Sequence, residues 1–425
     1  MNNIEFYDTI TIIKSFTRSV GMNNHYVPKL ILRKFGDKLC LYNVKTKELN
    51  EDVSVEEAYA TTDYYDDKDH STEKKLNEKI ESQFGNFLSN YILKADSEII
   101  LRPDKLKLIK KFLLISLMRV YDEKFIEKER NHYVTKKQVS KQYCKINNIE
   151  YEEKYDQPPF EEKQIEGETL YQYWLRTLNV ILDSDGTPEE ILKDPNKTYA
   201  AHRWACVVKY AYLAFWDAPK NSKDEFIITD IGMTSENEKG WNEIIGNRKK
   251  TNWLISLLEK TKDEKLRESI LKAALRTGYF HENFQMFPIS SRRMIVLISP
   301  FFKTRRELQK HGYTVPSLEY LTAMPNEELF APNRNYYELP QEDGLKYSEN
   351  DRYIYDIKSL NKTEIRYCNS LFLDRIDTYL GFSSLEAAVG SIINYKKLTT
   401  EKYDYARKNY GRLYDIIRKR GPWEI

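Results

Sequence analysis

The segment from Tyr199 to Trp216 constrains the fold of this chain more than any other, because it is apolar on nearly every side and must be surrounded by other elements. Lys209 interrupts it, and the apolar stretch Trp204 to Trp216 is well short of the roughly 20 residues that a membrane span needs. The periodicity predicts one helix over Tyr199 to Trp216, with Trp204, Val208 and Phe215 buried at the centre of the core. A chain of 425 residues, 41% hydrophobic and 31% charged, is long and apolar enough to build that enclosure and is unlike a disordered protein.

The rest of the chain reads mainly as helices. Pro28 opens a short helix over His25 to Phe35, and Leu39 to Val44 with the Lys45-Thr46 turn reads as a small hairpin. Ser71 can cap a helix to about Lys94 with Leu76, Ile80, Phe84, Phe87, Leu88 and Tyr91 on one stripe, and Asp104 can cap the next, which together would form an antiparallel pair. Helices follow over Leu170 to Leu182, from Thr187-Pro188, and over Trp241 to Arg276, with strand signals at Phe226 to Thr229 and Met294 to Ser299. From Asn361 two or three more helices are expected, broken at Gly381-Phe382 and near Thr399-Thr400. The expected fold class is mainly α with a minor β component, the small N-terminal hairpin and two or more central strands. Residues 1–21 read as an N-terminal extension, 22–425 as a single integrated multi-helix domain, and 130–168 as an insertion with weak patterning around Pro158-Pro159.

Cys40, Cys144, Cys206 and Cys368 lie far apart, which suggests neither a disulfide framework nor a zinc cluster, and residues 4–20 lack a signal-peptide core. A cytoplasmic protein without a membrane partner is expected. The net charge of +2 is uninformative, but 48–81 holds twelve acidic residues against four Lys, and 393–420 nine basic against three acidic. The chain is thus polarised along its length, either as solvated helix faces or as surfaces for different partners. The Tyr-rich basic terminus could stack bases, yet Tyr403, Tyr410, Tyr414 and Ile417 also recur as a core-facing stripe.

Several segments resemble one family. The block His25-Tyr26-Val27-Pro28, continued by Leu32, Arg33 and Phe35, is the most specific, followed by Ala58, Asp63-Tyr64-Tyr65 and then Glu78 and Glu81. Ser116 to Arg119 is similar to a helical Gln-x-x-Arg site with Ser in place of Gln. Phe226 to Asp230 resembles a strand ending Ser-Asp-Asn-Pro without the Asn-Pro, Phe287-Pro288-Ile289-Ser290 with Arg292 a Phe-Pro-Leu-Ser strand entry, and Asn361 or Asn369 a late helical Asn. Together they resemble the domain of unknown function 4238 family, a mainly bacterial group. The resemblance implies one integrated domain and brings no assigned reaction. Because such a block normally opens the family's sequence and Met22 stands just before it, residues 1–21 read as an extension or as upstream of the true start.

The matched side chains would suit phosphate-ester chemistry, with arginines clamping phosphate and His or Asp moving protons. His25, Asp230, Arg119 and Arg33 are the candidate catalytic set, Arg292 and Ser290 candidate phosphate or substrate ligands, and Glu78 with Glu81 candidate metal carboxylates. Each has a structural reading: His25 capping its helix or packing on Tyr26, Arg119 pairing with Asp122 or Glu123, the Glu pair solvated, Asp230 making an Asx turn, Ser290-Ser291 a turn. No Gly-rich phosphate loop, His-Glu-x-x-His, Gly-x-Ser-x-Gly or Cys-x-x-Cys is present, and no cofactor is indicated.

Two functions from different classes remain open. One is an effector enzyme acting on nucleic acid or a nucleotide, of the kind found in bacterial defence or conflict systems. The other is a non-catalytic helical binding or scaffold protein in which the polar set is structural. Convergence of His25, Arg119 and Asp230 on one pocket distinguishes them.

Overall fold

The apolar run that dominates the sequence is a helix followed at once by a strand: Tyr199–Tyr210 coils, Tyr212–Asp217 is extended, and Ala211 alone separates them. The structure, a computed structural model, describes residues 23–65, 71–124, 126–127, 130, 165–184, 188–194, 197–232, 234–237, 262–263, 283–298, 327–330, 350–397 and 403–423. In chain order they form β1 (Asn23–His25), α1 (Lys29–Leu32), β2 (Lys38–Asn43), β3 (Glu48–Ser54), β4 (Ala60–Thr62), α2 (Ser71–Leu76), a π turn (Asn77–Glu81), α3 (Ser82–Asn90), β5 (Glu98–Leu101) and α4 (Pro103–Arg119). Then come α5 (Leu170–Asp183), α6 (Pro188–Lys193), α7 (Tyr199–Tyr210), β6 (Tyr212–Asp217), β7 (Ile228–Thr229), β8 (Thr234–Asn237), β9 (Asn283–Pro288) and β10 (Arg293–Ile298). The last are β11 (Tyr353–Ser359), α8 (Lys362–Leu373), β12 (Tyr379–Phe382), α9 (Leu385–Lys397) and α10 (Tyr403–Arg420).

The described strands make three sheets: β1 with β4, a six-stranded mixed sheet ordered β5-β11-β6-β10-β9-β8, and a four-stranded sheet ordered β3-β2-β12-β7. The fold is therefore mixed α/β, which corrects the expectation of a mainly α chain with minor β content. The physical reason lies in β6. It sits inside the large sheet, antiparallel to β10 and parallel to β11. Leu213 and Phe215 enter a core shared with α4, α5 and α7, while Tyr212, Ala214 and Trp216 enter a second core shared with α8, α9 and α10. A strand buried on both faces has no polar alternation to mark it, so it continues the apolar helix without a visible seam. The burial expected of Trp204, Val208 and Phe215 is present, at 9%, 0% and 0% exposure.

Elements with strong local signals fall near their expected places. The β2–β3 hairpin forms with an irregularity between Leu39 and Leu41. α5 begins with a capping box of Thr169 and Gln172, and α8 with one of Asn361 and Glu364. At the C-terminus, Tyr410 and Ile417 of the expected stripe turn into the core and Tyr414 is half-buried, with Leu413 buried beside them. The break at Gly381-Phe382 is itself a strand, β12, which pairs with β2 on one side and β7 on the other. Residues 1–21, nearly all of the 130–168 insertion and, apart from 262–263, the helix expected over Trp241 to Arg276 lie outside the described residues. No helix among the described residues is long and apolar enough to cross a membrane.

Gly381 shows how tightly the small sheet closes. A Cβ there would lie 2.4 Å from Tyr59 Oη and 3.1 Å from Leu41 Cδ2, and Tyr59 Oη is already committed to Ile228 O at 3.0 Å. Gly381→Ala is expected to destabilise the protein by about 1–3 kcal/mol, the usual cost of overpacking a rigid core. Urea unfolding of the variant checks this, and a midpoint equal to wild type would mean that the sheet opens without strain.

Candidate functional site

The helix of residues 71–90 is built around its buried stripe. Leu76, Ile80, Phe84 and Leu88 are all fully buried and recur every four residues. An α-helix turns about 100° per residue, so each member of such a series would drift roughly 40° from the last. A π turn, wound more loosely, absorbs the excess, and Asn77–Glu81 is that turn. The helix packs antiparallel to α4, with Glu81 against Arg119, Phe84 stacked on Phe112 at 3.8 Å, and Lys105 over the Phe87 ring.

Between this helix, β1 and α1 opens a cleft of about 900 Å³, whose lining includes His25, Arg33, Glu73, Glu81 and Arg119. Arg119 is 2% exposed; its Nε donates to His25 O at 2.9 Å and its Nη1 to Glu81 Oε1. Burial opposes the charge on Arg119, but Glu81, Tyr65 and Glu73 outweigh it and raise the pKa. Arg119 therefore ties β1 to the π turn through a partner 38 residues away, in place of the expected local pairing with Asp122 or Glu123.

His25 is held by the same frame. Its Nε2 lies 3.1 Å from Val55 O, and since a carbonyl only accepts, Nε2 carries the hydrogen and Nδ1 is the position that can take a proton. Burial lowers the pKa of His25, Lys29 and Arg119 lower it further, and the Val55 bond and Glu81 partly oppose them. The imidazole is thus neutral near pH 7. Arg33 stands at the rim, 60% exposed, with a 3.4 Å contact to the equally exposed Glu56. Cations outnumber carboxylates in the lining five to two: Lys29, Arg33, Lys34, Lys74 and Arg119 against Glu73 and Glu81.

The other predicted site residues lie elsewhere. Asp230 follows β7 and accepts from the backbone N–H groups of Asp377, Thr378 and Tyr379, fastening the entry to β12. Burial pushes its carboxyl up to about 6, against the pull of those three donors. That value would suit an acid catalyst, but the oxygens are already engaged. Arg292 donates to the carbonyls of Ala218, Pro219, Ser222 and Asp224, gathering the loop after β6. Ser290 Oγ accepts from the N–H groups of Arg292 and Arg293, as a turn residue does. Glu78 and Glu81 diverge: Glu78 is 60% exposed and 3.9 Å from Lys74, whereas Glu81 faces Arg119. They do not form a carboxylate pair, and no group of three or more His, Cys, Asp or Glu poised to hold a metal occurs among the described residues.

Glu73 was absent from the sequence-derived set, although it lines the cleft and its Oε2 is buried without a hydrogen-bond partner. Lys29 and Lys34 were also overlooked. For the helix wall a signal existed, the four-residue spacing of its buried stripe, which a π turn accommodates; for Glu73 there was none beyond its place one turn before Asn77.

A family model described as a protein of unknown function (DUF4238) matches residues 23–384. No curated protein and no solved structure matches the chain.

Proposed function

The chain belongs to the DUF4238 family of proteins of unknown function, and from that premise we propose that the cleft at β1, α1 and the π turn acts on a phosphate ester of a nucleotide or nucleic acid. The observation that carries the reading is the gathering of His25, Arg33, Arg119 and Glu81 from separate segments onto one cleft with an excess of cations. A neutral imidazole with one free nitrogen accepts a proton near neutral pH. Exposed Arg33 and half-buried Lys29 can meet phosphate oxygens, while Arg119, buried and bonded to Glu81, positions His25 through its carbonyl. The volume is near the upper end of small-molecule sites, roughly 300–1,000 Å³, which suits a nucleotide or the end of a strand.

The competing reading is a binding or scaffold protein, and the convergence of His25, Arg119 and Asp230 that would set an enzyme apart is only partial, since Asp230 lies outside the cleft. It draws on Arg119, Asp230 and Arg292, whose hydrogen bonds tie distant segments together. Purified protein offered RNA, DNA and nucleotides with Mg²⁺, with Mn²⁺ or with chelator separates the two. Wild type should hydrolyse at least one, and His25→Gln, which can keep the bond to Val55 O but cannot accept the proton, should be about 100-fold slower with a melting temperature within a few degrees. Absence of hydrolysis favours the binding protein, and a His25→Gln rate equal to wild type removes His25 from the chemistry.

A further inference from the structure

We propose that Glu73 is the proton donor of this cleft, working with His25 on a phosphodiester whose leaving group is an unactivated alkoxide such as a deoxyribose oxygen. The inference rests on the reading of the cleft as a phosphate-ester site.

Three observations converge on it. First, Glu73 Oε2 is buried and has no hydrogen-bond partner. Buried carboxylate oxygens are almost always satisfied, and one left bare in folded protein calls for a reason. The polar groups beside it are engaged: Arg119 with Glu81 and His25 O, His25 Nε2 with Val55 O, and Asn24, which hydrogen-bonds the Glu73 carboxyl and accepts from Tyr64 N–H through its own oxygen. Second, Glu73 is one of the residues that line the open cleft, together with His25 and Arg119. Third, the two groups are pushed in opposite directions. Burial and Glu81 raise the proton affinity of Glu73, against Arg119, the Asn24 bond and Lys29. Burial, Lys29 and Arg119 lower that of His25, against Val55 O and Glu81. A carboxyl whose proton affinity is raised, in the same cleft as an imidazole whose proton affinity is lowered, is the arrangement of an acid and a base with assigned roles.

The step balances with water as the only co-reactant. The water oxygen bonds to phosphorus as its proton passes to His25 Nδ1. The bond from phosphorus to the leaving oxygen breaks, and that oxygen takes the Glu73 proton. The products are a phosphate monoester and an alcohol, and a proton returned from His25 to Glu73 through solvent resets the pair.

Leaving-group dependence tests the assignment, because a nitrophenolate departs without protonation and an alkoxide does not. Wild type, Glu73→Gln and Glu73→Asp of the full chain are compared on bis(p-nitrophenyl) phosphate and on a dithymidine monophosphate, with melting temperatures recorded for each. Glu73→Gln should lose about 100-fold on the dinucleotide, only a few-fold on the nitrophenyl ester, and the alkaline limb of the pH profile. Glu73→Asp should retain that limb at reduced rate. Equal losses on both substrates, or none on either, overturn the role of Glu73 while leaving the phosphate-ester reading in place. If wild type cleaves neither substrate the proposal falls, and the phosphate-ester reading falls with it only if RNA, DNA and nucleotides are left intact as well.

Discussion

Arg119→Ala is expected to lower the stability of the protein by about 3–5 kcal/mol, the range found when one member of a buried ion pair is removed. The guanidinium is 2% exposed, and Glu81, with a side chain 16% exposed, would be left without its counter-charge. His25 O would lose its donor in the same stroke. The π turn would then be free to relax, and the cleft wall would go with it. Arg119→Lys should recover only part of the loss, because one ammonium on a shorter reach cannot serve both acceptors with the fixed geometry of a guanidinium. Chemical denaturation of the two variants measures the effect, and a loss below about 1 kcal/mol for Arg119→Ala would show that the pair adds little to the fold.

Asp230→Ala should cost a similar amount through a different mechanism. Its carboxylate receives the backbone N–H groups of Asp377 and Tyr379 at 3.2 and 3.0 Å as well as that of Thr378, and its own N–H donates to Tyr379 O at 3.2 Å. Hydrogen bonds to a charged group contribute about 1.5–3 kcal/mol each, and losing three that share one acceptor should sum to about 3–5 kcal/mol because the loop can partly rehydrate. Since β12 lies between β2 and β7, the damage would spread through the four-stranded sheet. Hydrogen exchange at Leu380 and Phe382 should rise with the drop in stability. Unchanged exchange there would mean that the strand is held by its neighbours alone.

These two side chains show where local reading stops. α5 and α8 were legible because a helical stripe is a short-range signal, written within a few positions, whereas Asp104, read as a cap, lies in the first turn of α4. β6 was not, because its environment comes from β10 and β11, some 80 and 140 positions away, and strand pairing leaves no mark on the strand's own periodicity. β12 was missed for the same reason, with a glycine that serves close packing against Tyr59 reading as a helix break. Within the site, the resemblance directed attention to Arg119 and Asp230 alike. Their partners, Glu81 in one case and the backbone of 377–379 in the other, are long-range, and only the structure separates a cleft residue from a loop fastener. Glu73 carried no such pointer, since an acidic residue in the first turn of a helix ordinarily answers to the helix dipole.

We propose that the cleft beside the π turn, and not the polar set as a whole, carries chemistry. Hydrolysis rate per folded molecule, measured for wild type, His25→Gln and Asp230→Ala at a temperature where each retains folded protein, tests it most directly. A loss of about 100-fold is expected for His25→Gln at near-normal stability, and a near wild-type rate per folded molecule for Asp230→Ala despite its lowered stability. Activity that simply follows the folded fraction in both variants, or is absent throughout, would contradict it.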